Sequence, residues 1–216
     1  MNTLFHREKL DAYPDSKKGK IIQMMTLNDI TYWATDSFVG VVLILFVLQF
    51  IEGGSATHFG LAFLVYKFVS AFFSIPIGRF FDRHHGHIDE IWGLVCTSIA
   101  SGSVYVALSF GSELWHLYLA MGTLGFLSTV NLISWRTLFY NNIEVGEYGR
   151  TIGLYQTFMS IGQGCAIALG GLVADKFGFD TVVFFGGIVI MVGAFLPLSV
   201  KRFVSPSPKA AETLAK

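Results

Sequence analysis

Apolar residues gather into six stretches, at residues 30–51, 53–78, 91–112, 114–135, 151–174 and 181–200, with short polar or glycine-containing breaks between them. Each stretch has the ~20 residues that a helix rising 1.5 Å per residue needs to cover the hydrocarbon core of a bilayer. The pattern predicts an all-α membrane protein of six transmembrane helices. Residues 28–202 form the membrane domain, 1–27 an N-terminal tail, and 203–216, rich in Pro, Ser, Lys and Ala, a disordered C-terminal tail.

The polar positions inside the stretches suggest how the helices are arranged, because a polar side chain facing lipid is costly. The first stretch carries Asp36, the second Lys67, the fourth Ser128, Thr129 and Asn131, and the fifth Gln156, Ser160 and Gln163. The third and sixth hold no ionisable group and no amide, so helices one, two, four and five are expected to surround a polar space with three and six outside. Residues four and seven apart share a helix face, which places Asp29, Trp33 and Asp36 on one stripe and Gln156, Ser160 and Gln163 on another. A further stripe on the fifth helix, Gly162, Ala166 and Gly170, has the small-xxx-small spacing of close helix contact. Asp36 and Lys67 lie close enough in depth to meet, either as an ion pair locking two helices or as groups that bind a substrate or carry a proton. Trp33 either stacks on a ligand or packs. Trp115 and Tyr118 at one end of the fourth helix, with Trp135 and Tyr140 at the other, are placed as interfacial belts.

Charge fixes the expected orientation. Hydrophobic residues make up 53% of the chain, only 14% is charged, and mean hydropathy is +0.57. Of the fifteen Lys and Arg residues, all but Lys67 and Lys176 fall in the head, in the tail, or after the second and fourth stretches (Arg79, Arg83, Arg136, Arg150). By the positive-inside tendency both termini are expected in the cytoplasm and the protein in the plasma (inner) membrane. A formal net charge of zero with no basic stripe excludes a nucleic-acid partner. Cys96 and Cys165 fall within stretches, as packing thiols rather than a disulfide framework.

Two motifs carry a family resemblance. After the second stretch the chain runs Gly78-Arg79-Phe80-Phe81-Asp82-Arg83-His84-His85-Gly86-His87, which resembles the loop signature of the major facilitator superfamily, with one extra residue before Gly86. In the fifth stretch Gly153, Gly162, Gly170 and Gly171 fall at the spacing of the superfamily's glycine motif, with Ala166-Ile167 where that motif has Gly-Pro. The fourth stretch departs from it: Tyr118 to Gly125 has no arginine where many proton-coupled members carry one.

The resemblance implies a secondary transporter of a small solute, working by alternating access, and it spans one half of the usual twelve-helix protein. Because the two halves of that fold share one orientation, a parallel homodimer, or pairing with another half-transporter, would rebuild it. The expected pathway residues are Asp36, Lys67, Asn131, Gln156, Gln163 and Trp33, with a proton or cation as coupling ion. Gly78, Asp82, Arg83 and Gly86 would form a cytoplasmic gate, and Gly153, Gly162, Ala166, Gly170 and Gly171 the packing surface of helix five. The partners are then the lipid bilayer and a small-molecule substrate, with no cofactor. His84, His85 and His87 beside Asp82 and Asp89 offer metal-ligand chemistry, but a polar surface turn is the preferred reading and no metal is expected. No stretch pairs a histidine with a candidate serine at bilayer depth, so an intramembrane enzyme is not expected. The alternative to a transporter is a non-transporting assembly protein or a degenerate transporter fragment.

Overall fold

The computed structural model describes residues 16–83 and 87–203. Within them lie α1 (Lys17–Asp29), a π-helical turn (Ile30–Ala34), α2 (Thr35–Phe50), α3 (Ala56–Arg83), α4 (His87–Leu108), α5 (Leu114–Asn141), α6 (Tyr148–Phe177), α7 (Phe179–Gly193) and α8 (Leu196–Val200). Among the described residues there are six helical runs long and apolar enough to cross a membrane. The protein is an integral, multi-pass, all-α membrane protein.

Apart from α4, the helical runs are longer than the apolar stretches. The first run is continuous from Lys17 to Phe50, 34 residues, so residues 17–27, expected as the end of the tail, are helix. At 1.5 Å per residue it exceeds a 30 Å core, and the polar turns of α1 extend one end of the bundle. Ser16 starts the run by accepting a hydrogen bond from the Gly19 amide at 3.0 Å, while its hydroxyl donates to Glu144 at 2.8 Å, which ties α1 to the segment after α5. Trp135, expected in an interfacial belt, is 3% exposed and donates its indole N–H to the Met25 carbonyl at 3.0 Å. The long α1 covers that ring, which the shorter apolar stretch would have left at an interface. At the other end of α6 the chain turns on Gly178, whose φ of 93° strains any residue with a Cβ.

In space the helices pack in the order α3, α5, α4, α7, α2, α6. This corrects the expectation that the third and sixth stretches, α4 and α7, sit outside. The least covered helices are α3 and α6, with 6% and 17% of their most apolar windows buried, against 39% to 50% for the other runs. Small residues draw α4 and α7 inward. A Cβ on Gly187 would lie 2.6 Å from the Gly102 carbonyl oxygen, so the two backbones touch. Because the obstacle is backbone, Gly187→Ala is expected to cost about 1–3 kcal/mol; unfolding in mixed micelles measures it, and an unshifted midpoint would contradict this packing.

A π turn closes hydrogen bonds from i to i+5 and so takes up about one extra residue, widening the helix locally. Two glycines make room for it. A Cβ on Gly162 of α6 would fall 2.9 Å from Ile30, and one on Gly193 of α7 would fall 2.5 Å from Thr31. Thr31 donates its hydroxyl to the Leu27 carbonyl at 2.9 Å within the same turns. The extra residue rotates α2 by roughly 100° relative to an unbroken α-helix.

Candidate functional site

That rotation divides the stripe predicted for the first span. Asp29 and Asp36, seven residues and about 10 Å apart along the helix, line two different cavities, and Trp33 between them lines both.

One cavity, about 150 Å³, holds Asp36 from α2, Lys67 and Tyr66 from α3, and Tyr105 from α4 among apolar neighbours. Tyr105 donates its hydroxyl to Asp36 Oδ1 at 2.6 Å, and the adjacent Tyr32 donates to Ser101 at 3.0 Å, so α4 supplies the polar partners of the first span. Lys67 does not close on Asp36. Its ammonium lies 5.2 Å from the ring centroids of Phe63 and Tyr66 on its own helix, and among the described residues no ion pair joins it to the carboxylate. The two opposite charges therefore face a shared space. This cavity is built from the start of α3, the end of α4 and the start of α5, which puts it toward the end of the bundle opposite Arg79 and Arg150.

The second cavity, about 340 Å³, lies toward the other end, between α1, α5 and α6. Asp29 stands in its wall, 2% exposed, with Oδ2 accepting the Tyr155 hydroxyl and Oδ1 accepting no hydrogen bond of normal length. Arg136 on α5 and Gln156 and Gln163 on α6 line the same space. Gln156 also donates to Ser160 at 3.3 Å.

Of the predicted pathway residues, the structure brings Trp33, Asp36 and Lys67 to one cavity and Trp33, Gln156 and Gln163 to the other. Asn131 lines neither. It is fully buried between α5 and α4, with its amide nitrogen donating to Thr97 at 3.0 Å and Ser98 at 3.2 Å. Tyr105, Tyr155, Asp29 and Arg136 are absent from the predicted pathway. The tyrosines count with the apolar set in a hydropathy reading, and Arg136 falls just beyond an apolar stretch whose helix in fact runs on to Asn141.

The packing surface of α6 splits as well. Gly162 and Gly170 abut Ile30 and Phe38 of the first span, with the half-buried Ala166 between them on the same stripe, whereas a Cβ on Gly153 or Gly171 would meet nothing within 4 Å. Of the gate motif, Gly78, Asp82 and Arg83 form the end of α3 rather than a loop. Gly86, like His84 and His85, lies outside the described residues, as do the ends of both tails.

The model of the Major Facilitator Superfamily matches residues 27–216. A protein of Bacillus subtilis (strain 168), the uncharacterized MFS-type transporter YitZ, is 22% identical over 161 residues, an alignment that covers 74% of this chain and 96% of that protein. With six apolar helical runs long enough to cross a membrane, and with the family match reaching from the end of α1 through every later helix, the chain belongs to the major facilitator superfamily of membrane transporters.

Proposed function

We propose that this chain is one half of a secondary transporter, and that two copies stand side by side, the same way up, in the plasma membrane with their termini in the cytoplasm. A small solute passes between the copies by alternating access, driven by a proton or cation that binds at Asp36. The observation that carries this reading is Trp33, which stands in the wall of two cavities, each lined by an acidic and a basic side chain, that reach toward opposite ends of the bundle. Lys67 offers the alternative partner for Asp36 or for an anionic group of the solute, Gln156 and Gln163 hydrogen-bond the solute, and Asn131 holds α5 on α4 so that the wall keeps its shape. Asp82 and Arg83 at the end of α3 act as the cytoplasmic gate.

Pairing is supported by the open face of α6. Gly153, Thr157, Ser160, Gly164 and Gly171 lie within a stripe about 60° wide and are all exposed. Such residues gain little from lipid, while small and hydroxyl side chains are what close helix contact in a membrane uses.

A single cysteine tests the alternating part. With Cys96 and Cys165 replaced by serine, Trp33→Cys is expected to react with a membrane-impermeant thiol reagent from either side of vesicles, at relative rates that change with an imposed proton gradient. No reaction from either side would favour a non-transporting assembly protein.

A further inference from the structure

We propose that the cavity between α1, α5 and α6 binds a zwitterion, its ammonium group against Asp29 and its anionic group against Arg136. The inference rests on the transporter reading and names the class of solute. At about 340 Å³ the space is within the size range of small-ligand sites. Its walls carry one negative and one positive side chain that attract each other across the space without touching: Arg136 is exposed, and among the described residues no ion pair joins it to Asp29. Asp29 is buried, its Oδ2 accepts the Tyr155 hydroxyl, and the Trp33 indole also acts on the carboxylate. The other oxygen, Oδ1, accepts no hydrogen bond of normal length, which is costly for a buried carboxylate unless a ligand brings a donor.

Charge then selects the ligand. A simple cation would answer Asp29 and leave Arg136 facing it, and a simple anion would do the reverse. A solute with both charges answers both, and it is neutral overall, like the wall. Trp33 adds an aromatic surface for the ammonium end, and the guanidinium offers a carboxylate a planar pair of donors.

The test is binding by the full-length protein in nanodiscs of phosphatidylglycerol, which has no zwitterionic headgroup. The probes are glycine, β-alanine, 4-aminobutyrate and 6-aminohexanoate, whose charges are progressively further apart, with butylamine and butyrate as single-charge controls. At least one ω-amino acid is expected to quench tryptophan fluorescence saturably, with at least tenfold higher affinity than either control. Asp29→Asn and Arg136→Gln should each weaken that binding at least tenfold, and Arg136→Lys should retain part of it. Since Arg136 is exposed, its variants keep the test open even if Asp29→Asn fails to fold. Repeating the titration in phosphatidylethanolamine nanodiscs separates two sources of the same chemistry: unchanged affinity assigns the cavity to a free solute, and weakened affinity to a lipid headgroup. The proposal is overturned if no probe binds, if a single-charge control binds as tightly as the best ω-amino acid, or if Arg136→Gln binds normally. Binding requires no transport, so its failure removes the ligand class and leaves the labelling of Trp33→Cys to judge the transporter reading.

Discussion

Asp36→Asn is expected to end uphill accumulation of solute in energised vesicles, so that the internal concentration rises no higher than the external one, while the protein folds and inserts normally. This side chain has two separable roles. As a structural group, Asp36 accepts the Tyr105 hydroxyl at 2.6 Å, and the asparagine carbonyl oxygen can accept that same hydrogen bond. Stability should therefore change by no more than about 1 kcal/mol. As a chemical group, only the carboxylate can take up and release a proton or hold a cation opposite Lys67. Downhill exchange, which needs no coupling ion, should survive. If the variant accumulates solute with the wild-type dependence on the proton gradient, Asp36 has no part in coupling.

Gly164→Trp is expected to leave a folded single chain that no longer pairs and no longer transports, whereas Gly162→Trp, two residues away, should disrupt the fold itself. A Cβ on Gly164 meets nothing within 4 Å, so an indole there projects from the open face of α6 and harms only what docks against it. On Gly162 the Cβ already falls 2.9 Å from Ile30 in the π turn, leaving no space for a larger side chain without moving the first span. Size exclusion in mild detergent and a thermal melt distinguish the outcomes. A Gly164→Trp protein that elutes and transports like the wild type would show that this face looks onto lipid.

The six-helix plan is legible in the sequence because a bilayer demands about 20 apolar residues per crossing, and few soluble architectures repeat that six times. Helix ends are not, since the demand falls on apolar residues alone while hydrogen bonding continues through polar turns. For that reason α1 reads as a tail and Arg136 as part of a connection. The candidate site is legible as composition and not as rotation. Asp36 and Lys67 do share a cavity, but Lys67 turns to the rings of Phe63 and Tyr66, and a tyrosine from the supposedly peripheral α4 takes the carboxylate. Period counting puts Asp29 beside Asp36 because it assumes an unbroken α-helix, and one π turn is enough to defeat it. Asn131 shows the same limit: an amide in an apolar run signals a buried partner, but not whether that partner is a solute or Thr97 and Ser98.

Whether two copies make the transporter is tested most directly by weighing the intact particle. Released from native membranes in a copolymer disc and analysed by native mass spectrometry, the protein should appear as two chains of 23.9 kDa together. A particle that holds a single 23.9 kDa chain would contradict the account.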